Sequence, residues 1–297
     1  MRLLTLKSGL AAALAGMFTA GAAIAQDLGN LEVIGAPKHG GVGFQPAVTE
    51  LARDIHFLDG LLNYIIFAIV LFVAALMGYV FLRHNRKSNA EPARFTHNSP
   101  LEVVWTIVPI VILIVIGSFS LPVLFKQQII PEGDITIKAI GNQWYWSYEY
   151  PDHEFTFDSY MIGQDAENKL TDEVVAQLEE AGYEKEHFLL ATDTAVVVPV
   201  GKTVVVQVTA TDVIHSWTIP AFGVKQDAVP GRLAELWFNA EEEGVYFGQC
   251  SELCGIAHAY MPITVKVVSQ EAYEQWLDGA IEEYAGKPRT LNLASAE

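Results

Sequence analysis

Two apolar runs constrain this chain more than any other feature: residues 61–82 (LLNYIIFAIVLFVAALMGYVFL) and 103–125 (VVWTIVPIVILIVIGSFSLPVLF). Neither leaves a helix a polar face to turn to water. The first has one clear interruption, Asn63, a candidate for bonding a neighbouring helix, and the second carries no charge. At about 1.5 Å of rise per residue each is long enough for a ~30 Å hydrocarbon core, so two membrane-spanning helices are expected rather than the helices of a soluble core. The link between them, RHNRKSNAEPARFTHNSP, sets Arg83, Arg86, Lys87 and Arg94 against one acid, Glu91. Positive loops stay inside, which leaves both ends of the hairpin on the outer face.

The N-terminus agrees with that orientation. Arg2 and Lys7 precede an apolar Leu/Ala/Phe run that closes in Ala23-Ile24-Ala25, the small-x-small pattern of a cleaved secretory signal. The expected organisation is a signal peptide at 1–25, an outer-face segment at 26–55, a transmembrane helical hairpin at 56–126, a β domain at 127–270, and a C-terminal helix and tail at 271–297. Residues 127–297 hold 28 Asp/Glu against 9 Lys/Arg, a balance of −19 where the whole chain has −17. Such a field repels phosphates, which argues against a nucleic-acid partner, and it attracts a basic protein.

After the second span the pattern changes to short β-rich runs: DITIKAI, AVVVPV, TVVVQVTA, IHSWTI, RLAELWF, VYFGQ and ITVKVV, besides GNQWYWSYEY, in which Trp144, Trp146, Tyr148 and Tyr150 alternate on one side of a strand. They predict an antiparallel sandwich, with Gly201-Lys202 as a hairpin turn between two Val-rich strands. Residues 163–188 break this pattern. Their charge, and the helical spacing of Leu170, Val174, Val175 and Leu178, mark a surface insertion without assigned chemistry. Residues 270–286 read as a closing amphipathic helix.

The chain's two cysteines stand in GQCSELCGIAHAYM, residues 248–261, four residues apart and followed by His258 and Met261. In an oxidising compartment a Cys250–Cys254 disulfide is the plain alternative, but it gives no role to the histidine or the methionine. Zinc has no use for the thioether and wants a fourth strong ligand. Copper uses thiolate, imidazole and thioether alike, and two thiolates permit both sulfurs to bridge two coppers. The loop is then one nitrogen short, and His215, in ATDVIHSW, is the candidate to supply it.

These residues resemble subunit II of cytochrome c oxidase, in its bacterial haem-copper form with a binuclear copper A centre. The likeness runs through the signal, the two-span hairpin, GNQWYWSYEY, DVIHSW, KQDAVPGR and CSELCGIAHAYM in order. It implies a two-helix transmembrane hairpin plus an all-β, cupredoxin-like Greek-key sandwich. Of the two copper ions, Cys250 and Cys254 would bridge both, His215 and Met261 would complete one, and His258 with the backbone carbonyl of Glu252 the other. The Glu252 carboxylate would hold a magnesium or manganese ion shared with subunit I. Trp144 would accept electrons from cytochrome c beside the docking acids Glu149, Asp158, Asp193 and Asp212, and Glu102 would stand at the mouth of a proton pathway. Glu102 also fits a capping box, with Ser99 as N-cap and Pro100 at the first helical position.

The implied role is the electron-input subunit of an oxidase in the bacterial inner membrane, its copper domain periplasmic. It would pass single electrons to haem in subunit I for oxygen reduction coupled to proton pumping, among other oxidase subunits and membrane lipid. Quinol oxidases lack the copper ligands, and nitrous oxide reductase carries a propeller domain for which this chain has no room. A tethered copper carrier would need an open, exchangeable site.

Overall fold

The computed structural model describes residues 28, 31–91, 93–165 and 168–285. The expected signal segment and the tail from 286 onward lie outside the described residues. Two compact units divide the chain: 53–129, and the remainder.

The helical unit is built from α1 (Glu50–Arg83) and α2 (Ser99–Gln128). The most apolar 18-residue window of each has no residue buried inside the protein. Apolar on every face and uncovered by protein, such helices need a hydrocarbon solvent. With 34 residues, α1 is about 51 Å long and so exceeds a ~30 Å core. Its polar first turns are where Asp54 meets Lys126 of α2 at 2.7 Å, and Phe57 packs edge-on against Phe119.

Two local expectations shift. The N-cap of α2 is Asn98, not Ser99: its side chain accepts from Leu101 N, and Glu102 still reaches back to accept from Asn98 N at 3.2 Å. The cap moves one residue because the amide oxygen of Asn98 serves the role as well as a hydroxyl and leaves Pro100 inside the first turn. Asn63, a candidate for bonding a neighbouring helix, instead donates to the Asp59 carbonyl of its own helix.

In the β unit, β1 (Val33–Gly35), β10 (Gly244–Gln249), β11 (Pro262–Val268) and β5 (Val196–Pro199) form one sheet in the order β1-β10-β11-β5. The second runs β4-β3-β2-β6-β9, from β4 (Phe155–Ser159), β3 (Tyr145–Tyr150), β2 (Ile135–Asn142), β6 (Thr203–Ala210) and β9 (Ala234–Asn239). A third pair joins β7 (His215–Ile219) to β8 (Val224–Ala228). Strands β1, β4 and β8 were not anticipated. Alternation drives the core in β6, where Val204, Val206 and Val208 are buried, whereas β11 is buried along its whole length.

The sheets are mixed rather than antiparallel. β2 pairs parallel with β6, β5 with β11, and β1 with β10. Gly201-Lys202 is accordingly no hairpin turn: β5 and β6 belong to different sheets, and the turn carries the chain across the core, with Gly201 N–H bonded to the Ala240 carbonyl. Alternating valines specify a buried face but not which neighbour pairs with it.

Two helices close the unit. α3 (Asp172–Glu180), capped by Thr171, buries Val174 and Leu178 against Ile162, Tyr183, Val245 and Phe247, so the inserted segment roofs part of the β10–β11 face. Leu170 stays exposed. α4 (Gln270–Tyr284), capped by Ser269, buries Tyr273, Trp276 and Ala280, with Trp276 packed on Tyr150 and Phe155. Each such aromatic anchor contributes about 2–3 kcal/mol by burial.

Candidate metal centre

β10 and β11 are paired neighbours, and their last rung, Gln249↔Pro262, closes the base of the loop that joins them. That closure sets Cys250 and Met261 side by side. A short 3-10 turn, His258–Tyr260, brings His258 back toward the base. Ser251 N bonds the Ser216 carbonyl, which ties the loop to β7, and His215 is the first residue of that strand. Trp146 secures the other side, its indole donating to the Met261 carbonyl at 3.3 Å.

The donors converge. Among the described residues, ligand atoms of His215, Cys250 and Cys254 all lie within 4.8 Å of one another. Cys250 Sγ is 3.9 Å from His215 Nδ1, 3.9 Å from Cys254 Sγ and 3.3 Å from the Glu252 carbonyl oxygen. Cys254 Sγ is 3.5 Å from both His258 Nδ1 and Met261 Sδ. His215, Cys250, Cys254 and Met261 are buried. Both cysteines are free thiols.

Close approach makes this possible. A Cβ on Gly141 of β2 would stand 2.7 Å from His215 Cδ2, so the imidazole lies directly on bare backbone. Gly255 adopts φ +125, and a Cβ there would press on the Trp144 ring at 3.1 Å. Electrostatics follow from burial. It lowers the pKa of His215 even though Asp212 pulls it upward. Burial first, and the neighbouring Cys250 next, push the Cys254 thiol up to about 12. A thiol held so high gives up its proton near neutral pH only beside a cation, so a metal bound at Cys254 releases that proton.

Trp144 sits otherwise than strand alternation implies. It is the second residue of the two-residue turn between β2 and β3, whose flanking residues Asn142 and Tyr145 pair. Trp146, Tyr148 and Tyr150 do fill the core. The half-buried Trp144 indole donates to the Cys254 carbonyl at 3.2 Å, and Gln143 Nε2 donates to the same oxygen at 3.1 Å. Of the four acids, Glu149 pairs with Lys138 at 3.2 Å and Asp158 accepts from Ser147 Oγ. Asp193 accepts from Tyr160 N at 2.8 Å, and the Tyr160 ring stacks on Tyr145, next to Trp144. Asp212 accepts from His215 Nε2 at 2.9 Å. The Glu252 side chain is exposed, and Glu102 lies in the helical unit.

Residues 135–268 match the family described as "Cytochrome C oxidase subunit II, periplasmic domain", and residues 37–123 match "Cytochrome C oxidase subunit II, transmembrane domain". A cytochrome c oxidase subunit 2 of Cereibacter sphaeroides is 64% identical over 283 residues, covering 94% of this chain and 93% of that one. The chain belongs to the cytochrome c oxidase subunit II family. A probable cytochrome c oxidase subunit 2 of Rickettsia felis is 46% identical, covering 80% of this chain and 70% of its own length. The crystal structure of the periplasmic domain of subunit II of the Bradyrhizobium japonicum cytochrome oxidase is 46% identical, covering 53% of this chain and all of that one, with a TM-score of 0.44.

As a member of this family the chain is an oxidoreductase subunit with a transmembrane hairpin and a cupredoxin-like domain. The family implies copper A, and the donors fit copper. Two thiols, two imidazole nitrogens, a thioether and a carbonyl suit a soft-to-borderline ion. The 3.9 Å between the sulfurs is less than twice a metal–thiolate bond of ~2.3 Å, so one ion can touch both. Reasoning from sequence missed Gly141, Gln143 and the bond between Asp212 and His215. Only the last left a signal, an acid three residues before the histidine.

Proposed function

We propose that this chain is the electron-input subunit of a cytochrome c oxidase, taking single electrons from cytochrome c and passing them toward haem in subunit I. One observation carries the reading: six donor groups from a loop and a distant strand face one another, and the half-buried Trp144 indole is hydrogen-bonded to the backbone of one of them. When bound, a binuclear copper A centre supplies a one-electron store with little reorganisation. Cys250 and Cys254 would hold both ions as shared thiolates, with His215 and Met261 toward one and His258 and the Glu252 carbonyl toward the other.

The chain's own residues do the rest. Trp144 offers a partly exposed π-system, and its Nε1–H bond to the Cys254 carbonyl leads through one hydrogen bond and a few covalent bonds to the Cys254 sulfur. Gln143 donates to the same carbonyl and holds the turn against the loop. Burial keeps water from the thiols and supports a resident rather than an exchangeable metal, unlike a copper carrier. Glu149, Asp158, Asp193 and Asp212, within a domain of net −19, would steer a lysine-rich cytochrome c, which raises the association rate and makes it salt-sensitive.

At the loop tip Leu253 is 78% and Ile256 90% exposed. Apolar groups so bare suit coverage by subunit I. The exposed Glu252 carboxylate would hold magnesium or manganese at that boundary. Glu102 would stand at the cytoplasmic mouth of a proton pathway in subunit I. The hairpin would sit among lipid and other oxidase subunits in the bacterial inner membrane, with both termini and the copper domain periplasmic.

Elemental analysis of the intact, detergent-extracted complex tests the reading, together with paramagnetic resonance of its oxidised form. The expected result is two copper atoms assignable to this chain and a hyperfine pattern from one electron shared by two copper nuclei. Zinc, no metal, or a single copper overturns it.

A further inference from the structure

Asp212 reads from sequence as one more acid on an acidic surface, yet its side chain is only 23% exposed. Three N–H groups from two segments point at its two oxygens. Oδ1 accepts from His215 Nε2 at 2.9 Å and from Val213 N at 2.6 Å, and Oδ2 accepts from Gln143 N at 2.7 Å. A carboxylate only accepts, so the proton of the neutral imidazole must sit on Nε2. That leaves the Nδ1 lone pair directed at the space shared with Cys250 Sγ, 3.9 Å away. The other oxygen grips the backbone of the Gln143-Trp144 turn, whose two side chains both bond the Cys254 carbonyl.

We propose that Asp212 is a positioning residue: its single carboxylate fixes the tautomer and aim of His215 and, through Gln143, the seat of the electron-accepting Trp144. The proposal rests on the copper reading above. It makes Asp212 the mechanical link between the indole that receives an electron and the ligands that hold it, a role separate from docking. Asparagine cannot replace it. An amide has one acceptor oxygen. Turned toward His215 and Val213, it confronts Gln143 N–H with another donor. Turned the other way, it drives the imidazole proton to Nδ1 and removes the lone pair a metal needs.

The test compares Asp212→Asn and Glu149→Gln in the assembled oxidase; both remove one charge. Asp212→Asn is expected to alter the copper absorption and hyperfine pattern, and to release copper to a chelator about 10- to 100-fold more readily. Glu149→Gln is expected to leave the copper spectrum as it is and to weaken only the salt dependence of reduction by cytochrome c. If Asp212→Asn behaves like Glu149→Gln, Asp212 is a docking charge and the proposal fails. The wild-type complex supplies a measurement that needs no variant: the Nε2 proton of His215 should exchange with D2O at least about tenfold more slowly than that of His258, which has no such carboxylate among the described residues. Equal rates overturn the proposal. A wild-type complex without the two-copper signal sinks the functional reading itself, whereas a normal signal unaltered in Asp212→Asn sinks only this inference.

Discussion

Two excursions leave the strands of the β unit, and they are built in opposite ways. The loop 250–261 packs no large aliphatic side chain of its own inward: Leu253 and Ile256 point out while two thiols, an imidazole and a thioether turn in. It keeps its shape through bonds from elsewhere, from Trp144, Gln143, Trp146 and Ser216. The inserted segment around α3 does the reverse. It presents charge to water and buries Val174, Leu178 and Tyr183 on the sheet, as any amphipathic cover would. Beneath that cover lies one polar oddity, Lys266 of β11, buried with its ammonium 5.2 Å from the centre of the Tyr183 ring. A site for chemistry is thus held by hydrogen bonds that aim donors, and a cover is held by area.

That contrast can be broken by mutation. The largest effect belongs to the loop. Cys250→Ser should abolish copper binding in the assembled complex while β-sheet circular dichroism stays unchanged, because the sulfur is a donor first and core filling second. Retained copper would refute the division. Leu178→Ala in the insertion should do the opposite: a loss of about 2–5 kcal/mol in stability, seen as a lower unfolding midpoint, with the copper spectrum unaltered below it.

The smallest effect concerns Lys266, whose burial pushes its pKa down from 10.5 to about 8. Between those values the unfolded chain binds the proton and the folded one does not, so stability rises as the pH is raised from about 8 toward 10.5. Below about 8 the folded protein carries the full cost of a charge under the insertion, on the order of 3 kcal/mol before the Tyr183 contact offsets part of it. Lys266→Met should remove this slope and raise the midpoint at neutral pH. An unchanged slope would show that Lys266 is not its source.

Much of this molecule is legible without coordinates, for a physical reason that differs by region. The spans at 61–82 and 103–125 are stated by composition alone, since in hydrocarbon a helix must be apolar on all its faces, and no partner has to be known. The amphipathic helices α3 and α4 follow from one-dimensional periodicity. So does the burial of Val204, Val206 and Val208 in β6. The donor loop is also local: Cys250, Cys254, His258 and Met261 declare a metal by their chemistry, and the nitrogen they lack points to His215.

Strand partners were not legible. A valine alternation is satisfied by any neighbour, so the parallel pairs β2·β6 and β5·β11, and the crossing at Gly201, had to be seen. The same holds for β4 and β8, whose mixed composition is outweighed by pairing to stronger strands. At the site, sequence determined which atoms could bind and left open what holds them. The bare backbone of Gly141 beneath the imidazole, the turn that carries Trp144 to the Cys254 carbonyl, and the aim of Asp212 at His215 and Gln143 together were decided only by the tertiary structure. Directional contacts between segments some 70 to 110 residues apart leave no periodic trace in a linear chain.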